Sequence, residues 1–161
     1  MENTDETAHQ ALAAISRLLD TLTKMHPQAA EIVTGQVAIE QELWLFLRSK
    51  FDNPDQLPNL KVSHVLRLLE ATTTDGWTLL VLNAATAFTM VRNAIAHADN
   101  QPNLDKAIAR LCDAMGAIGS RPDANTARFG TIALAIIAAL HVAFEGRVAG
   151  GGPQGESEGD Q

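Results

Sequence analysis

The sequence predicts an all-α fold, a bundle of five to six helices, and three observations carry that prediction. Apolar residues recur at spacings of three and four, as in Leu12, Ile15, Leu19 and Leu22, which is the period of a helix face. Aromatic residues make up only 4% of the chain and Tyr is absent, while Ala and Leu are abundant; strands favour the opposite composition. Pro, Gly and Asn fall between the periodic stretches, where they stop one element and start the next. A length of 161 residues suits a single domain with a real core, and we place that domain at residues 1–145.

The elements follow in order. A first helix is expected from about Asp5 to Met25, interrupted by His26 and Pro27. Pro27 suits the first turn of a second helix, which runs to about Phe51 and holds Trp44, Phe46 and Phe51. The stretch DNPDQLP, Asp52 to Pro58, reads as a turn. Asn59 is a candidate N-cap for a third helix, Leu60 to Glu70. After Thr72 to Gly76 a fourth helix spans about Trp77 to Ala96. Asn103 is placed to cap a fifth, ending at Gly116, and a last helix is expected from near Pro122 to Gly146. Residues 146–161, GRVAGGGPQGESEGDQ, have little to bury and read as a disordered tail.

Charge and cysteine usage narrow the function. Twelve Lys and Arg stand against 19 Asp and Glu, a net charge of -7, which argues against a protein that coats nucleic acid through a broad basic surface. The tail holds Arg147 against Glu156, Glu158 and Asp160, so residues 1–145 keep -5 of that charge. The lone Cys112 excludes a disulfide framework and fits a reducing compartment. The start, MENTDETAHQ, is acidic where a signal peptide would be basic. The most apolar run, Phe129 to Phe144, is shorter than a bilayer span and contains His141. A soluble cytoplasmic protein with no membrane association is therefore expected. The histidines show no paired spacing for a metal and there is no Gly-rich phosphate loop, so neither metal nor cofactor is expected.

Two charges lie in unexpected places on a helical wheel. Glu40 falls in the arc of Val33, Val37, Leu43, Trp44, Leu47 and Phe51, and Arg92 in that of Val81, Ala85, Phe88, Ile95 and Ala96. A buried charge is costly unless paired, so phase alone predicts that Glu40 and Arg92 meet between the second and fourth helices. A structural ion pair, or an Arg reaching the rim, accounts for the same pattern. A polar line, Asn83, Thr86, Asn93 and His97, runs along the fourth helix beside the Arg92 arc. His97 stands about 140° from Arg92 on an ideal helix. In the last turn it is placed either to cap the helix or to act on a ligand.

The segment RNAIAH, Arg92 to His97, resembles the signature of the HEPN superfamily: an Arg, a polar residue, then a His near a helix end. The helices before it, GQVAIEQELWLFLRSKF and LKVSHVLRLLEA, resemble the order seen in the branch of mannitol operon repressor-like proteins. The likeness covers about residues 29–115 and leaves the last apolar helix unmatched. It implies a HEPN-like bundle that forms a homodimer with two RNAIAH segments across a cleft. It also implies a metal-independent endoribonuclease that cuts RNA by attack of the 2′-hydroxyl. Arg92 would bind the scissile phosphate, His97 would move the proton, Asn93 would orient one or the other, and Glu40 would support Arg92. Guanidinium and imidazole suit that chemistry. Between Thr72 and Asn100 Arg92 is the only basic residue, although Lys61 and Arg67 could approach it in space.

Two functions remain in competition at this stage. One is a ribonuclease of toxin or defence type, with RNA as substrate and an antitoxin or other regulatory protein as partner. The other is a non-catalytic regulatory or interaction domain built on the same residues. His64 and His141 read as a half-exposed and a core or interface histidine, and Cys112 as a packed, inert thiol.

Overall fold

The computed structural model describes Ser16, Arg17, Asp20 and residues 27–97, 101–124 and 126–145. The expected first helix, apart from the helical Ser16, Arg17 and Asp20, and the expected tail lie outside the described residues. Five α-helices follow in chain order: α1 (Ala29–Arg48), α2 (Val62–Ala71), α3 (Gly76–Ala96), α4 (Gln101–Ala117) and α5 (Phe129–Glu145). A three-residue 3-10 turn, Pro54–Gln56, lies between α1 and α2, and the described residues contain no strand. The all-α bundle is as the periodicity and composition predict.

Helix α3 is the hub, since α1, α2, α4 and α5 all pack against it. That explains why apolar residues cover so much of its circumference. Val81, Leu82, Ala84, Ala85, Ala87, Phe88, Val91 and Ile95 are all buried. By length and composition alone α3 would also pass as a membrane span, with half of that window buried inside the bundle. Its start is fixed by Asp75, which the sequence reading overlooked. The Asp75 carboxylate accepts from the Thr78 backbone N–H at 2.8 Å and from the Thr78 hydroxyl at 2.6 Å. Such a cap contributes about 1 kcal/mol.

Helices α1 and α5 run parallel as neighbours, because Glu31, Gly35, Glu42 and Phe46 meet Gly130, Ala133, His141 and Phe144 in the same order. A Cβ on Gly35 would lie 2.7 Å from the Ala133 Cβ and 3.0 Å from Phe88 Cζ. The missing side chain lets α1, α3 and α5 converge at one point. The N-terminus of α5 is capped from α1. The Gln28 carboxamide oxygen accepts from Phe129 N–H at 2.9 Å while its Nε2 donates to the Ala127 carbonyl at 2.8 Å. Glu31 accepts from Gly130 N–H at 3.1 Å, a charge suited to a helix N-terminus.

Near the other end of this pair, His141 lies between two carboxylates. Its Nδ1 is 2.6 Å from Glu145 and its Nε2 is 3.1 Å from Glu42, with Phe46 edge-on to the ring. Both ring nitrogens can donate only in the imidazolium. The hydrogen bond to Glu145 and the charge of both acids accordingly raise its pKa above the ordinary value.

Several boundaries differ from expectation. The third predicted helix begins at Val62 with Lys61, not Asn59, at the N-cap position and no side-chain cap. The last begins at Phe129 rather than near Pro122, because the chain from Arg121 to Arg128 is spent reaching the Gln28 end of α1. Helix α4 ends at Ala117, and Gly119, at φ 81°, turns the chain while Ser120 N–H reaches back to the Met115 carbonyl at 2.9 Å. That is the left-handed C-terminal stop that glycine permits. The core face of α1 is also rotated from the expected arc. Ile32, Ile39, Leu43, Phe46 and Leu47 are buried, while Val37 and Phe51 are exposed. Cys112 is buried, and burial together with the charge of Asp113 pushes its thiol pKa up, the state of an unreactive thiol.

Candidate functional site

The expected pairing of Glu40 with Arg92 does not occur. Glu40 is half-buried and accepts from Gln36 Nε2 at 2.8 Å, whereas Arg92 is exposed. The polar bridge between α1 and α3 is Gln36, only 2% exposed, whose Nε2 also donates to the Thr89 hydroxyl at 3.1 Å. An uncharged amide holds the position where an ion pair was expected, which avoids the desolvation of two charges. Its Oε1 has no hydrogen-bond partner in the structure.

The RNAIAH segment closes α3. His97 occupies the C-cap, with its backbone N–H on the Asn93 carbonyl at 2.9 Å and its side chain exposed. Arg92 Nη1 donates to Asn93 Oδ1 at 3.1 Å. A guanidinium has only donors, so this contact fixes which end of the Asn93 amide faces Arg92 and leaves the NH2 for another acceptor. Arg92 itself stands on a different side of α3 from His97, as their angular separation on the helix requires.

What the segment does face is α4. A groove of about 530 Å³ between the two helices is lined by Met90, Asn93, Ala94 and His97 on one wall and Asn103, Lys106, Ala107 and Arg110 on the other. Both sets follow one spacing, i, i+3, i+4 and i+7, so each is a single stripe on its helix. The buried Ala94 and Ala107 occupy the same place in the two stripes, and their small side chains leave a floor on which longer neighbours form the walls. The link from Ala96 to Gln101 is short, which makes α3 and α4 an antiparallel hairpin with the stripes running in opposite directions.

Three of the expected site residues therefore divide. Asn93 and His97 line the groove, and Arg92 touches it only through Asn93. Lys61, at the N-cap of α2, and Arg67 and His64 on that helix are exposed and are not among the groove-lining residues. Sequence reasoning missed Lys106 and Arg110, which supply the cations instead. The signal was present as the matching four-residue spacing on both sides of the Ala98–Asn100 link. Among the described residues no cluster of three or more His, Cys, Asp or Glu is arranged to hold a metal ion.

The groove can bind an anion. Two cations, an imidazole and two carboxamides converge on an apolar floor, and among the described residues no carboxylate lines it. No family model, curated protein or solved structure matches this chain.

Proposed function

We propose that this chain is a HEPN-like helical domain that acts as a metal-independent endoribonuclease, with the groove between α3 and α4 as its RNA site. The observation that supports the reading best is the lining of that groove: Lys106 and Arg110 join Asn93 and His97 of the RNAIAH segment. An overall charge of -7 opposes broad RNA binding, but a local pair of cations meets the need for phosphate contacts where the imidazole stands.

In this reading the 2′-hydroxyl attacks the neighbouring phosphorus and the bond to the 5′-oxygen breaks, leaving a 2′,3′-cyclic phosphate. His97 accepts the 2′ proton and water protonates the departing 5′-oxygen. Lys106 and Arg110 supply phosphate contacts that hold the strand in the groove. Arg92 is then a positioning residue acting through Asn93, rather than a direct phosphate ligand. Glu40 has no part in the chemistry. The reading carries with it a homodimer and a toxin or defence role, with an antitoxin or other regulatory protein as partner.

The exposed placement of Arg92 outside the groove favours one second reading, a non-catalytic regulatory or interaction domain. Incubating purified protein with structured and unstructured RNAs in EDTA separates the two. The ribonuclease should cut in EDTA, and His97→Ala should reduce cutting by roughly 100-fold or more, the usual scale for a lost proton-transfer group. Absence of cleavage on all RNAs, with unimpaired growth of cells expressing the protein, would overturn the proposal in favour of the second reading.

A further inference from the structure

We infer that Lys106 and Arg110 hold two consecutive phosphates of a single-stranded RNA, which makes α4 the substrate-registering helix of the groove. This rests on the ribonuclease reading and adds to it the class of strand and the register in which it lies.

The two cations are four residues apart on one stripe of α4, a separation of about 6 Å along the helix axis. That step is close to the spacing of neighbouring phosphates in an unstacked strand. Both side chains are exposed, and among the described residues neither has an acidic partner. Arg48, Arg121 and Arg128, by contrast, are each engaged, by Asp55, Asp113 and Glu31, while Lys61 and Arg67 on another face likewise have no acidic partner among the described residues. The groove cations are thus available to a ligand where these three arginines are neutralised within the fold.

The strand class follows from width. The groove lies between packed neighbouring helices, whose axes stand about 8–10 Å apart, too close for a duplex to enter. Its apolar floor of Ala94 and Ala107, with Met90 at the wall, suits the face of an unstacked base rather than the ridge of an A-form helix. Because the stripes are antiparallel, the Asn103 end of α4 adjoins His97 and Arg110 lies about two turns farther in. The scissile phosphate belongs at His97, with the next two phosphates at Lys106 and Arg110. The acidic exterior then limits the footprint to these few contacts.

The test uses the full chain carrying His97→Ala, so that RNA is bound without being cut. Affinity for a fluorescent oligouridylate and for an RNA hairpin stem is measured across a salt series. The same titrations are made on Lys106→Gln/Arg110→Gln and on a control, Lys61→Gln/Arg67→Gln, with helicity checked by circular dichroism. The expected result is binding of the single strand in preference to the stem. In the groove double variant affinity should fall roughly tenfold or more, and the log–log salt slope should become shallower by about 1.4, two phosphates at about 0.7 each. The control should keep the parent slope. A groove variant with the parent slope, or a stem bound as tightly as the single strand, overturns the inference and leaves the ribonuclease reading standing. Failure of the parent to bind either RNA removes both.

Discussion

At Gly35 a single absent methyl sets how closely three helices approach. Gly35→Ala would gain about 1 kcal/mol of helix propensity, yet the new Cβ would meet the Ala133 Cβ at 2.7 Å and the Phe88 ring at 3.0 Å. Neither neighbour is the free end of a flexible chain, so overpacking of about 1–3 kcal/mol should prevail. A lower urea midpoint with an unchanged slope is the expected outcome. Nothing in the local sequence marks Gly35, because the atoms that exclude a side chain lie on α3 and α5. Arg92 illustrates the same gap. Its helical phase matches Val81 and Ala85, and phase reports the angle around a helix but not which turns a neighbour covers. Near its C-terminal end α3 is less covered on that side, and Arg92 reaches solvent. Asn93 and His97 share a polar line on the helical wheel, and both line the groove.

For whole elements, sequence found the helices and misplaced some of their ends. Periodicity carries α1, α2 and α4 well, since each has one stripe facing the core, while α3 is marked by its apolar length. Ends depend on capping partners, and those of α5 come from α1, about 100 residues earlier in the chain. Gln28→Ala should leave the Phe129 N–H and the Ala127 carbonyl without these partners, costing about 1 kcal/mol and lowering Tm by about 3 °C; differential scanning calorimetry measures it. The His141 clamp ties α1 and α5 at Glu42 and Glu145. Its pKa is raised in the folded chain, so its contribution is fully present below the unfolded value of about 6.5. That contribution disappears as pH rises through the folded value. Tm measured between about pH 5 and about pH 9 should therefore fall more steeply for wild type than for His141→Gln. With the ring partly exposed the difference should be small. A wild-type profile no steeper than that of the variant would show the clamp to be idle.

Across the whole molecule, composition indicated an acidic helical bundle, and the bundle is what the chain forms. The local cation pair on α4 was hidden in that average, because net charge does not record which helix faces which. It emerged only once the α3–α4 hairpin aligned two stripes separated by the Ala98–Asn100 link. The same long-range architecture bears on how the chain is made. The α3–α4 hairpin closes over a short link, whereas α1 and α5 are side by side although Gln28 and Phe129 stand 101 positions apart. At about 5–20 residues per second of synthesis, α1 is made some 5–20 s before the helix that covers it. During that interval Phe46 lacks its stacking partner Phe144, and the Gly35 niche awaits Ala133. Among the described helices α5 is the last to be made, and a nascent chain halted short of Phe129 would present that uncovered surface to chaperones or to aggregation.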